Sequence, residues 1–190
     1  PVMVVMGNPP YSVSSSNKSK WIKSLIADYK RDVVTTTNLQ PLSDDYLKFI
    51  RFAQYMIDKN GVGIVGFICN RSLLDGIVHH KARESLMNSF NKIEIVDLNG
   101  DITRNQALGD KEDQNIFDIK QGICILLLIK SESTQDCSLL YKSIRGTRQT
   151  KFDVLNRDCA NINQYQVNPR GVNNFFLETD LSDTDYQYFI

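Results

Sequence analysis

The sequence predicts an open α/β sheet, on three observations. Short apolar runs at residues 2–6, 63–69 and 93–98 read as buried parallel strands. Helical spacing fills the gaps between them, and the order strand–helix–strand–helix–strand calls for crossover connections. A fourth apolar run, 121–129, follows the third with no helical pattern between them. It is therefore expected to pair antiparallel and to end the sheet.

Each element has a local reason. The first strand breaks at Gly7-Asn8-Pro9-Pro10-Tyr11, and a polar stretch with Ser12, Ser14, Ser15, Ser16 and Ser19 follows. Residues 21–30 fit a short helix and 33–41 a loop. Ser43 is the expected N-cap of the next helix, with Asp44 and Asp45 favourable in its first turn. Leu47, Ile50, Ala53 and Met56/Ile57 keep helical spacing until Asn60-Gly61 ends the run. After the second strand, Ala82, Leu86 and Phe90 mark a further helix. Residues 99–120 form a long polar connection, a kind usually found near function. Beyond Ser131 a strand and a short helix are expected within 139–155. The Asn- and Gln-rich stretch 156–174, with Pro169 and Gly171, reads as loop or linker.

Composition bounds the function. The 190 residues are 42% hydrophobic and 23% charged, and 22 basic side chains balance 22 acidic ones. That neutrality excludes a wholesale basic DNA-coating protein and an acidic disordered tail. The longest apolar run is far too short to span a bilayer. Cys69, Cys124, Cys137 and Cys159 form no metal-binding spacing, and a reduced, cytoplasmic protein is expected. His79-His80 suggests no metal site, because adjacent helical side chains point about 100° apart; a surface or capping role is expected. Asp75 and Asp97 follow or end strands and are assigned no chemistry.

Asn8-Pro9-Pro10-Tyr11 carries the chemistry. It sits at the carboxyl end of a buried strand, where open α/β sheets place ligands. Two prolines fix φ and remove two backbone donors, and the residue before them is held extended. The corner therefore shows carbonyl acceptors and one amide side chain, followed by an aromatic face. An amino group can donate to the Asn8 side-chain oxygen and to the Pro9 carbonyl. Both acceptors would stabilise positive charge growing on that nitrogen as it attacks an electrophile. Tyr11 is placed to stack on the ring that bears the amino group.

Strand-Asn-Pro-Pro-Tyr resembles the catalytic motif of S-adenosylmethionine-dependent amino-methyltransferases, above all the adenine-specific DNA methyltransferases of restriction–modification systems. The segments Tyr46-Leu-Lys-Phe-Ile-Arg-Phe-Ala, Gly63-Ile-Val-Gly-Phe-Ile and Asn70-Arg-Ser-Leu-Leu-Asp-Gly resemble the segments downstream of the motif in that family. Ile93-Glu-Ile-Val-Asp-Leu-Asn-Gly and the run from Asn115 to Lys130 resemble its last two strands. The wording is most similar to large single-chain type ISP and type IIG enzymes.

The resemblance implies a partial Rossmann-like methyltransferase sheet with a terminal antiparallel strand. It implies that Asn8, Pro9, Pro10 and Tyr11 form the catalytic motif, that Asn8 and Pro9 hold an adenine N6 amino group, that Tyr11 stacks on the flipped base, and that Phe117 packs on it from another side. The implied cofactor is S-adenosylmethionine, the partner double-stranded DNA, with no metal and no membrane. The family's glycine-rich cofactor loop has no counterpart here, since Gly61-Val62-Gly63 precedes a strand. The chain opens at Pro1 directly into strand pattern, and the expectation is the catalytic-motif half of a domain within a longer polypeptide. Residues 1–131 are assigned to that half and 132–190 to a connection toward a target-recognition region. Most of the cofactor site would lie upstream, so no measurable cofactor binding by these residues is expected.

Two local basic stretches qualify the neutral total. Lys18, Lys20, Lys23, Lys30 and Arg31 face only Asp28, and Lys142, Arg145, Arg148 and Lys151 occupy a stretch without an acid. Lys18, Lys20, Lys23, Lys142, Arg145 and Arg148 are candidates for DNA-backbone phosphates; a solvated face is the plainer reading of both stretches. Two other functions fit the same residues. One is methyl transfer to a protein glutamine, cytosine N4 or RNA guanine; the other is a non-catalytic DNA-interaction or scaffold module.

Overall fold

The computed structural model describes residues 3–11, 15–31, 33, 38–108, 112–132, 136–157 and 162–177. Val2, Ser12, Ser14 and Cys159 lie outside the described residues. The strands are Met3–Gly7 (β1), Gly63–Asn70 (β2), Lys92–Asp97 (β3), Ile123–Lys130 (β4), Ser138–Ser143 (β5) and Gln164–Val167 (β6). The helices are Lys20–Lys30 (α1), Asp45–Asn60 (α2), Ser72–Asp75 (α3), His80–Ser89 (α4), Ile102–Leu108 (α5) and Arg148–Arg157 (α6).

All six strands join one sheet in the order β1-β2-β4-β3-β5-β6. β1 and β2 are parallel, with Val5 opposite Val65. The fourth run, β4, is antiparallel as expected, but it does not end the sheet, whose outer strands are β1 and β6. It lies between β2 and β3, antiparallel to both, with Leu126 facing Phe67 on one side and Ile95 on the other. Alternate residues of β4 pack into the larger core (Cys124, Leu126, Leu128) and the smaller one (Ile123, Ile125), so cover on both faces explains the continuous Ile-Cys-Ile-Leu-Leu-Leu-Ile run. β5 pairs parallel with β3, and β6 antiparallel with β5, so the sheet continues beyond Ser131.

The larger core fills the space between one sheet face and the helices of the first half. Val65, Phe67, Cys69, Ile95, Leu126 and Leu128 from the sheet meet Leu47, Ile50, Ala53 and Ile57 of α2. Those α2 residues form one stripe at helical spacing. The helix ends where Gly61 takes φ 89° and its N–H bonds the Ile57 carbonyl at 2.9 Å. Cys69 and Cys124 are buried side by side, sulfurs 3.5 Å apart, as core residues. A smaller cluster of Leu98, Ile116, Ile123 and Ile144 lies toward the carboxyl ends of β2 and β3, with Tyr11 and Phe117 packed against it.

Four local expectations are corrected. Asp44, not Ser43, occupies the N-cap position of α2, without a side-chain capping bond; Ser43 ends a 3₁₀ turn and accepts a hydrogen bond from Lys30 Nζ at 2.7 Å. A short helix, α5, does separate β3 from β4. The stretch read as linker contains β6, an edge strand whose exposed Gln164, Tyr165 and Gln166 hide the strand pattern. His79 and His80 are buried rather than superficial. His79 Nδ1 donates to the Ser72 carbonyl at 2.9 Å, leaving Nε2 to accept from the Tyr46 hydroxyl at 3.2 Å.

Candidate active site

The Asn-Pro-Pro-Tyr corner leaves the carboxyl end of β1 at the sheet edge. Asn8 and Pro10 are exposed, Pro9 is buried, and Tyr11 is half-buried. The buried proline seats the corner, and the two residues with free polar or planar surface face outward. Tyr11 turns back over the motif, its hydroxyl donating to Asn8 Oδ1 at 2.8 Å. An sp² oxygen has a second lone pair, so Asn8 Oδ1 still accepts one further proton. Burial, with Cys69 and Cys124 adding, raises the Tyr11 phenol above its ordinary value. It therefore stays a neutral donor at physiological pH.

Phe117 stands across from Tyr11, ring centroids 6.4 Å apart and planes tilted by 49°. The structure thus brings together the two aromatic residues singled out in the sequence, 106 positions apart. Phe117 rides on a loop held by a dense polar frame. Its N–H bonds Asn115 Oδ1 at 3.0 Å, and Asn115 Nδ2 bonds the Gln121 carbonyl at 2.6 Å. Gly100 lets this loop approach: its φ is 74°, and a Cβ there would lie 2.5 Å from Asn115 Cα.

Two buried ionic groups support the frame, and neither was recognisable in the sequence. Lys151, fully buried, donates to the Leu98 and Gln114 carbonyls at 2.6 and 2.5 Å and pairs with Asp113 at 2.7 Å. Asp113 also accepts from the Gly100 and Gly146 amides at 2.8 and 3.0 Å. Burial opposes ionisation of Asp113, but the Lys151 and amide bonds outweigh it and hold the carboxyl below its ordinary value. In the second group, Arg71 Nε bonds both oxygens of Asp97, and Arg71 Nη1 reaches Asp75 at 2.9 Å. Tyr141 completes Asp97 at 2.7 Å, and Arg104 holds Asp75 at 2.6 and 2.9 Å. These bonds tie the carboxyl ends of β2 and β3 to α3 and α5. Asp75 and Asp97 therefore have a structural role.

The basic candidates fall in different settings. Arg148 bonds the Asn115 carbonyl at 3.1 Å and Asp118 at 2.6 Å, joining the Phe117 frame. Lys142 lies in β5, and Arg145 borders a separate cleft near α6. Lys18 and Lys23 line a cavity with Lys30, Arg31 and Lys48, while Lys20 opens α1. Among the described residues no group of three His, Cys, Asp or Glu is placed to hold a metal ion, and no helix is long and apolar enough to cross a membrane.

The residues present fit an amino-group acceptor more fully than a cofactor. Asp97, the acidic residue that ends β3, is occupied by Arg71 and Tyr141. Gly61 caps a helix, and Gly63 opens β2. Neither is arranged as a phosphate- or ribose-binding turn.

The fold is an α/β sheet that carries the Asn-Pro-Pro-Tyr corner at the carboxyl end of its edge strand β1. The family described as Eco57I restriction-modification methylase matches residues 3–103. The chain belongs to that family. No curated protein matches it. Among solved structures it is similar to the ATP-dependent type ISP restriction-modification enzyme LlaBIII bound to DNA, at 25% identity and TM-score 0.80, over 97% of this chain and 13% of that one. A nuclease-deletion mutant of the type ISP enzyme LlaGI with a DNA substrate mimic matches at 28% identity and TM-score 0.83, over 99% and 19%. The DrdV–DNA complex matches at 25% and 0.79, over 98% and 19%. The chain spans less than a fifth of the length of each of these.

Proposed function

We propose that this chain is the amino-acceptor half of a DNA adenine-N6 methyltransferase in a restriction–modification protein. The supporting observation is the grouping of an exposed Asn8 amide with two neighbouring, mutually tilted aromatic rings, Tyr11 and Phe117, at the carboxyl edge of the sheet. S-adenosylmethionine supplies the electrophilic methyl group when bound. The chain's own residues position the acceptor. Tyr11 stacks on an extruded adenine and Phe117 packs on it from another side, replacing the stacking it loses on leaving the duplex. Asn8 Oδ1 accepts one N6 hydrogen through its remaining lone pair, and the Pro9 carbonyl accepts the other. Both oxygens draw closer to the nitrogen as it gains positive charge, which lowers the barrier rather than merely binding the base. The Tyr11 hydroxyl fixes the Asn8 amide so that its oxygen, not its nitrogen, faces the substrate.

Residues 1–131 supply this half of the catalytic domain. Residues 132–190 extend the sheet toward the region that reads the target sequence. The partner is double-stranded DNA, with Lys18, Lys20 and Lys23 the candidates for contact with its backbone phosphates. Asn8→Ala in the full-length enzyme removes an electrostatic contact of the transition state, so kcat for methyl transfer should fall about 100-fold or more. Tyr11→Phe removes one hydrogen bond and should cost about three- to tenfold. Radiolabel transfer to duplex DNA measures both, and wild-type rates in Asn8→Ala would refute the assignment.

A further inference from the structure

Immediately after the motif the chain builds a cavity of about 710 Å³ with an unbalanced wall. Lys18, Lys23, Lys30, Arg31 and Lys48 all line it, with Ser43 among them. Among the described residues, the carboxylate bonded to this set is Asp28, which binds Arg31 at 3.1 Å and shares its other oxygen with Arg51 at 2.8 Å. Lys30 Nζ donates to Ser43 Oγ at 2.7 Å, and Lys48 Nζ to the Asn17 carbonyl at 2.8 Å. Neither acceptor carries charge.

Lys48 is buried, an unusual place for an ammonium without an ion pair. Its pKa is lowered, first by burial and then, against the pull of Asp45, by Lys30 and Lys18. Asp44 and Asp45 open the same helix, but no salt bridge joins either to Lys48 among the described residues. Cations gathered within a Debye length of one another repel unless an anion is shared among them. The cavity is therefore suited to a ligand with more than one negative charge.

Its position selects that ligand. α2 connects two parallel strands, so its first turns, with Lys48, stand at the edge of the sheet where the motif lies. Ser15 in the cavity wall is four residues from Tyr11, and therefore within about 14 Å of it along the chain. One DNA strand advances about 3.4 Å along the helix axis per phosphate, so that reach corresponds to about four nucleotides.

We propose that this cavity is a phosphodiester-binding site that grips the DNA backbone beside the flipped nucleotide through Lys18, Lys23 and Lys30, with Lys48 as a buried fixed charge behind them. The inference rests on the methyltransferase reading and adds to it Lys30, Arg31 and Lys48 as one built site. Lys20 falls outside the lining. Phosphate held here would fix the strand's register, leaving the base to the Tyr11–Phe117 cleft.

The test is the salt dependence of duplex binding by the full-length enzyme. Each neutralised phosphate contributes about −0.9 to the slope of log K against log[salt]. Lys18→Gln/Lys23→Gln should make the slope shallower by about 2, while Lys59→Gln/Lys81→Gln, outside the cavity, leaves it unchanged. Both lysines of the first pair are exposed, so the fold is retained. An unchanged slope in Lys18→Gln/Lys23→Gln, with wild-type methylation intact, overturns this site alone. Weakened binding of inorganic triphosphate with an unchanged DNA slope would assign the cavity to a free phosphate compound and overturn the DNA assignment. Absence of DNA methylation by the wild-type enzyme would instead overturn the reading beneath it.

Discussion

Tyr11 and His79 show how burial sets the behaviour of single side chains. At Tyr11 it keeps a phenol protonated, so that it orients an amide without taking a proton from anything. At His79 burial, with Arg83 adding, lowers the imidazole to about 4. A base whose folded pKa lies below its unfolded value binds more protons unfolded, so its stability contribution is full above about pH 6.5 and declines as pH falls toward 4. Between about pH 7 and pH 5 the loss is about 2 kcal/mol. Asp44 works in the opposite direction, because burial and then Asp45 raise its carboxyl to about 6. Subtraction isolates the histidine: His79→Gln should lose about 2 kcal/mol less stability than wild type over that interval, read from urea midpoints. Equal losses would show that His79 is not held neutral. The motif residues were legible in the sequence because prolines and aromatics declare their own geometry. His79 was not, because its burial is decided by Tyr46 and Ser72 on separate elements.

Among elements, α6 and the loop that carries Phe117 act as one piece. Lys151 lies 38 residues from Asp113, and in sequence it stands in a basic run that suggests a solvated or DNA-facing surface. In the fold it is fully buried and bonded to three groups at once. Lys151→Met leaves the Asp113 carboxylate buried without its cation, which should cost about 3–5 kcal/mol in denaturant unfolding. Lys130→Met removes a pair with Asp58 that is partly open to solvent, and should cost less than about 1 kcal/mol. Similar losses in the two variants would contradict the anchor. Apolar runs identified β2, β3 and β4 because these strands are covered by neighbours and helices, and they also marked β1, which is an edge strand and not the buried one expected. They missed β6, whose outward residues are polar, and they missed α5, where Ile102, Thr103 and Arg104 are exposed and give no apolar stripe. No local signal in β4 says that it inserts between β2 and β3; that order is set by which edges remain to be paired.

For the whole molecule, the sheet is covered unequally. One face holds the larger core, while Val4 and Met6 on the other face of β1 are 62% and 82% exposed. The α/β class was legible from patterning, because it follows from how apolar residues repeat along strands and helices; the antiparallel direction of β4 was inferred from a missing helix, although α5 does precede it. The edge that carries the candidate site was legible for a different reason: parallel strands joined by crossovers place their carboxyl ends together, and the Asn-Pro-Pro-Tyr corner falls at one of them. The nearness of Tyr11 and Phe117, 6.4 Å between tilted rings, is a contact that no local pattern in the sequence encodes. What the corner does chemically rests on where the methyl group arrives. Nucleoside mass spectrometry of duplex DNA incubated with the full-length enzyme and methyl-labelled S-adenosylmethionine measures this directly. The expected product is labelled N6-methyladenine that disappears in Asn8→Ala; label on cytosine, on protein, or undiminished in Asn8→Ala would contradict the account.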